Sequence, residues 1–262
     1  MKNKMSKLSV IIPVHLVNEK IEELFKNAVN SVKDQTVKVD ELLVVVPKGS
    51  AAAEYMAKYD FADLKTRVIE NDGNTDFSSQ MNCGVENCNT EWFTMLEMDD
   101  ELANIWVNNF VKYREAYPDV DMFLPLVVDV QEDGAFIGLT NEAVWAQSFS
   151  DELGYLDNGA LLAYQNFNID GMTMTKEKYD EIGGFKSNIK LTFIYEFLLR
   201  ATFQAATIMV IPKFGYKHVN QRTGSLFANY KDELTPMEAN WWLEQAKKEY
   251  FHSEDRELTY GE

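Results

Sequence analysis

Glu97, Asp99 and Asp100 stand together in Leu96-Glu97-Met98-Asp99-Asp100, at the end of an apolar run that reads as a buried strand. Carboxylates that close to a core cost several kcal/mol each when unpaired, so a cation belongs among them. Hard oxygen donors suit Mg2+ or Mn2+, which keep some waters and take further oxygens from substrate phosphates. A structural reading stands beside this one: Asp is a good N-cap, and Asp100 could simply begin a helix expected from Leu102 to Tyr113. His218 is one of 3 histidines and falls in the polar run Lys217-His218-Val219-Asn220-Gln221-Arg222. There it could ligate a metal or form ordinary hydrogen bonds, while Lys217 and Arg222 are the cation types that neutralise a diphosphate.

These residues need a scaffold, and the pattern supplies one. Strand-like and helix-like segments alternate through the first half, which predicts an α/β fold with a mainly parallel sheet. Ser9 to Val14, Glu41 to Val46, Thr66 to Glu70 and Glu91 to Glu97 read as strands. Asn18 to Lys33, Ala51 to Lys58 and Ser78 to Asn87 read as the helices between them. Ligands of such sheets bind beyond the carboxyl ends of the strands. Pro13-Val14-His15, Pro47-Lys48-Gly49-Ser50 and Glu97 to Asp100 should therefore form one crevice wall.

In the second half, Met122 to Val130 and Ala135 to Leu139 read as strands around an Asp133-Gly134 turn. Ser148 to Asn168 reads as loop-rich, and Thr175 to Ile182 as a helix stopped by Gly183-Gly184. Thr192 to Ala205 reads as a buried helix and Ala206 to Ile211 as a strand. Thr235-Pro236-Met237-Glu238 has the form of a capping box opening a last helix to Tyr250, with the final twelve residues loosely held.

Composition narrows the function. The chain has 262 residues, 46% of them hydrophobic, enough for a continuous core. A net charge of −17 argues against unaided binding to a polyanion. Cys83 and Cys88 lack neighbouring histidines, so reduced thiols and a cytoplasmic setting are expected. No signal peptide or membrane span is visible, and no membrane anchoring is expected.

Ser9 to His15, the strand closing near Gly49-Ser50, Asn82-x-Gly84, Leu96 to Asp100 and Gly183-Gly184-Phe185 with its following helix together resemble the family 2 glycosyltransferases of the GT-A fold. The likeness runs from about Leu8 to Arg222. It implies one GT-A domain over 1–230, with a nucleotide-sugar half at 1–101 and an acceptor-side half of mixed sheet at 102–230. A helical extension and tail would occupy 231–262. It further implies a nucleotide diphosphate sugar as donor and Mn2+ or Mg2+ bound by Asp99 and His218. Glu97 would contact the ribose or, through water, the metal.

The same resemblance places Pro13, His15, Gly49, Asp72, Asn82 and Arg222 along the donor. Asp72 belongs to Asn71-Asp72-Gly73, which turn chemistry alone explains. Where the family carries Asp-Asp-Gly-Ser this chain has Pro47-Lys48-Gly49-Ser50, and Met81 stands where the family commonly has Arg. The donor base is left unnamed by that gap. Transfer with inversion needs a carboxylate base for the acceptor hydroxyl. Glu196 is the nearest candidate, with Asp170 second, although Glu196 could equally pair with Arg200 four residues on. An alignment anchored on Arg200 puts Phe193 and Ile194 where the family has its acidic pair.

Trp145 is the aromatic residue assigned to the acceptor side. The acceptor itself stays open among a soluble glycan, a protein and a hydroxymethylated DNA base, the last a viral DNA modification. A competing expectation is a GT-A scaffold without catalysis, serving as a sugar- or protein-binding module.

Overall fold

A computed structural model of the chain describes residues 7–142, 155–163, 165, 167–220 and 234–258. Four strands, β1 (Leu8–Pro13), β2 (Glu41–Val46), β3 (Thr66–Glu70) and β4 (Trp92–Met95), are joined through helices α1 (Glu19–Lys33), α2 (Ala51–Met56) and α3 (Phe77–Glu86). They lie parallel in the order β3-β2-β1-β4. Beyond β4 the sheet turns mixed. β9 (Thr173–Thr175) runs antiparallel to both β4 and β6 (Met122–Val130), and β6 pairs in parallel with β10 (Ile208–Val219). The short β5 (Glu101–Leu102) closes the far edge antiparallel to β10. A hairpin strand, β7 (Phe136–Thr140), lies on β6, and β8 (Tyr155–Leu156) lies on β10.

Strand alternation divides the core into two layers. Ile11, Leu43 and Val45 face α3 and the later helices, while Val10, Ile12, Leu42 and Val44 face α1 and α4 (Trp106–Ala116). Helix starts follow local chemistry, as the side chains of Asn18, Ser50 and Asp76 cap α1, α2 and α3. Gly84 is required by packing: a Cβ there would lie 2.5 Å from Ile11 Cγ2, so only glycine lets α3 settle on β1. From the same helix the Gln80 amide donates to the carbonyls of Val14 and Val45 at 3.2 and 3.1 Å, holding the ends of β1 and β2 side by side.

The later helices are α5 (Asn158–Ala163), α6 (Lys176–Ile182), α7 (Phe193–Phe203) and α8 (Pro236–Glu249). Thr175 caps α6, Gly183 ends it at φ 92°, and the Thr235–Glu238 capping box opens α8 as its sequence predicts. Several expectations are corrected. The strand expected to end at Ile211 runs on to Val219 and takes in the polar residues Lys217 and His218, and α4 begins at Trp106 rather than Leu102. The stretch expected to be loop-rich contains β8 and α5. The tail is also held through residue 258: Arg256 pairs with Glu249 at 2.6 Å, Ser187 bonds Asp255, and Leu258 packs on the core. No helix among the described residues is long and apolar enough to cross a membrane.

Glu41 opens β2 with its carboxylate buried, accepting from Ser9 Oγ at 2.8 Å, Asn89 N at 2.9 Å and Arg67 at 3.2 Å. Burial pushes its pKa up, but the Asn89 and Ser9 hydrogen bonds and the Arg67 charge outweigh that and leave it lowered. A lowered carboxyl contributes stability above the unfolded value of about 4.3 and loses it as pH falls through the folded value. Glu41→Gln is therefore expected to cost about 1–3 kcal/mol at pH 7 in urea unfolding, with the gap from wild type shrinking below about pH 4.

Candidate active site

Beyond β4 the chain passes through Glu97, Asp99 and Asp100 toward β5, and β10 comes alongside from the other half of the sheet. The buried Asp100 carboxylate accepts from Tyr216 Oη at 2.9 Å and from Val219 N at 2.8 Å, and lies 3.0 Å from His218 Nδ1. The Tyr216 oxygen in turn accepts from Glu97 N at 3.0 Å. Asp100 is thus no helix cap; it anchors the acidic segment to β10.

A third segment completes the cluster. Asn141 holds the carbonyls of Pro125 and Asn168 and accepts from Asn168 N, and the Asn168 amide bonds Asp170. Gly171, at φ 70°, packs where a Cβ would lie 2.8 Å from the Tyr216 ring. Its carbonyl accepts from Thr94 of β4. This path carries the buried Asp170 carboxylate to 3.7 Å from His218 Nδ1.

One oxygen each from Glu97 and Asp170 and one nitrogen of His218 lie within 4.8 Å of one another. Burial raises Glu97 well above the usual carboxylate range, with Asp100, Asp170 and Asp99 adding to the rise and His218 opposing it. Burial likewise pushes Asp170 up to about 7; His218 opposes, while Asp100, Asp129 and Asp99 reinforce. Burial alone would depress His218, yet Asp100 and Asp170 outweigh it and raise the imidazole to about 11. One imidazolium thus faces an excess of carboxylates. The donor types fit Mg2+ or Mn2+, and the spacing is one that bonds of about 2.1 Å can bridge with small side-chain adjustments.

Other expected site residues have separate surroundings. Pro13 ends β1 buried beside Val45, with the half-buried His15 two residues on. Gly49, at φ 69°, turns the chain in open space ahead of α2. Exposed Asp72 accepts from Asn74 N at 3.2 Å, as a turn residue does. Asn82 accepts from Phe185 N and Tyr179 Oη and donates to Phe185 O, so its amide locks the Gly183-Gly184-Phe185 segment onto α3. Arg222 and Trp145 lie outside the described residues.

Glu196 is the main correction. Fully buried on α7, it pairs with Arg200 at 2.8 Å and Lys186 at 3.1 Å, within the core and away from the carboxylate cluster. Arg200 also donates to the carbonyls of Ile182 and Gly184, and Lys186 to that of Glu249. Phe193, in the first turn of α7, is buried against Phe77 and Phe185.

Two contributors escaped the sequence reading. Tyr216 is the buried phenol between Asp100 and Glu97, and Asp129, across from His218 in the β6–β10 register, accepts from Thr140. The alternation Tyr216-x-His218 would have put the phenol on the histidine's face had that run been read as a strand.

The fold is that of the GT-A glycosyltransferases. The sequence model of glycosyl transferase family 2 matches residues 9–182, and the chain belongs to that family. Among solved structures, S. aureus TarS 1–349 in complex with UDP-GlcNAc aligns at a TM-score of 0.67 and 15% identity, over 91% of this chain and 65% of that one. The UDP complex aligns at 0.62 and 16%, over 93% and 71%. TarS 1–349 alone aligns at 0.62 and 16%, over 81% of this chain, which spans 60% of it. No curated protein matches the sequence.

Two substitutions separate structural from chemical roles. Glu196→Ala leaves two buried cations unpaired and is expected to destabilise the fold by about 3–5 kcal/mol in chemical denaturation. Tyr216→Phe, which removes one hydroxyl, is expected to cost about 1–3 kcal/mol and leave a folded protein by circular dichroism.

Proposed function

We propose that this glycosyltransferase takes its sugar from a nucleotide diphosphate sugar and holds a divalent cation on Glu97, Asp170 and His218, with Asp99 beside them. The observation that carries this reading is the convergence of those three side chains in a cluster with too little positive charge of its own. A cation bound there supplies positive charge to the departing diphosphate. Tyr216 and Val219 fix Asp100, which orients the segment bearing Glu97 and Asp99. Pro13, which ends β1, His15 just after it, and Gly49 after β2 are assigned to the nucleotide because ligands of such sheets bind beyond the carboxyl ends of the strands. A uridine diphosphate sugar is the first donor to try, because TarS was solved with UDP-GlcNAc.

The acceptor we favour is uncharged, a glycan or a protein hydroxyl, over duplex DNA. Lys176 donates to the carbonyls of Glu86 and Cys88, and Lys178 pairs with Glu181. Lys186 and Arg200 are buried, and Lys217 pairs with Glu101. Lys213 is exposed, but these other cations leave little for a phosphate backbone beside an acidic cleft.

A second reading gives Asp170 the role of base for the acceptor hydroxyl, with inversion at the anomeric carbon. It is favoured by the rise of Asp170 to about 7, close to the ideal for proton transfer at neutral pH. Asp170→Asn separates the two. Loss of Mn2+ binding by calorimetry marks a ligand, whereas intact Mn2+ binding with turnover reduced at least ~100-fold marks the base. The reading as a non-catalytic module is motivated by the buried Glu196 and the apolar Phe193 at the start of α7. Mn2+-dependent hydrolysis of a nucleotide sugar, lowered at least ~100-fold by Asp99→Ala, would eliminate it. Absence of both thermal stabilisation and turnover across the common donors with Mn2+ would overturn the proposal itself.

A further inference from the structure

A second concavity opens on the α1 side of the same sheet edge, a cavity of about 500 Å3 between α1, β5 and β10. Tyr216 lines it, and the hydroxyl of the same residue reaches Asp100, so this residue stands between the cavity and the carboxylate cluster. Its chemistry differs from that of the cluster. Asn27 and Asn30 project from successive turns of α1, and Asn104 faces them from beyond β5. Among the described residues no hydrogen bond engages these three amide side chains. Each amide presents both donors and an acceptor.

The rim carries an aromatic residue that the core would normally take in. Phe214 is 54% exposed because the β6–β10 register shifts on both sides of it, which turns its side chain outward. The strand tolerates this through Gly215, where a Cβ would lie 2.4 Å from Trp106 and 2.5 Å from Pro125. An open apolar ring beside three free amides matches a molecule with a C–H face and a hydroxyl edge. Charge selects further. Lys217 and Glu101 neutralise each other across the cavity and Asp34 leaves its lining net negative, which disfavours phosphorylated or carboxylated ligands.

The geometry points to a binding site for a neutral saccharide in this groove, separate from the donor crevice and walled from it by Tyr216. It takes one or two sugar rings, stacked on Phe214 and hydrogen-bonded by Asn27, Asn30 and Asn104. Nothing in it depends on which donor the enzyme uses.

The test is a titration of 15N-labelled full chain with maltose, cellobiose, lactose and di-N-acetylchitobiose, each taken to about 20 mM, well above a Kd near 1 mM. At least one is expected to move the amides of Asn30, Asn104 and Phe214 in a saturable way. Phe214→Ala and Asn30→Ala should each weaken that binding at least ~5-fold, and Asp99→Ala should leave it unchanged. Both α1 and the Phe214 side chain are at the surface, so these variants should fold, as matching circular dichroism would verify. The inference is overturned if no disaccharide moves those amides, if the shifts persist undiminished in Phe214→Ala, or if Asp99→Ala abolishes them. A chain that binds saccharide here but turns over no donor contradicts only the proposed function. Donor turnover without groove shifts contradicts only this inference.

Discussion

The site depends first on how Asp100 is held. A buried carboxylate is costly unless its lone pairs are filled, and here Tyr216, Val219 and His218 fill them. All three partners sit at the end of β10, whereas Asp100 follows β4. The bonds therefore bind the first, parallel half of the sheet to the second, mixed half at the place where the carboxylates converge. Together with the β5–β10 pairing just beyond, they fix Glu97 and Asp99 in relation to His218.

A second buried charge network does comparable work on the other layer. Glu196, Arg200 and Lys186 form an ionic knot whose remaining donors reach the carbonyls of Ile182, Gly184 and Glu249. Each carbonyl closes a helix end or a glycine turn, groups that would otherwise be buried without partners. The knot thereby fastens α8 to α7 and to the glycine segment that Asn82 grips from α3. The C-terminal helix is in this way part of the frame around the site.

Much of this was legible in the chain. The apolar runs Val10–Pro13 in β1 and Leu42–Val46 in β2, the capping box at Thr235 and the glycine stop at Gly183 announced the frame, because each depends on neighbours within a few residues. The cluster of Glu97, Asp99 and Asp100 was visible for the same reason. Tyr216 and Asp129 were not, since Tyr216 meets Glu97 and Asp100, and Asp129 meets His218, only through strand pairings distant in sequence. Ending β10 at Ile211 missed Lys217 to Val219 because its outer partner β5 is only two residues long, so the end of β10 beyond it tolerates polar residues as an edge does. Glu196 was ambiguous because an i,i+4 pair and a catalytic carboxylate look identical until burial is known.

The balance of charge at the cluster also bears on the order of events. Glu97, Asp99, Asp100, Asp170 and Asp129 gather around His218, inside a chain whose net charge is −17. A bare nucleotide diphosphate drifting toward such a mouth meets a repelling field. Under the proposed function, a cation held by Glu97, Asp170 and His218 would offset that repulsion. Salt, which ordinarily slows the meeting of charged partners by screening their attraction, would here screen repulsion and hasten the encounter.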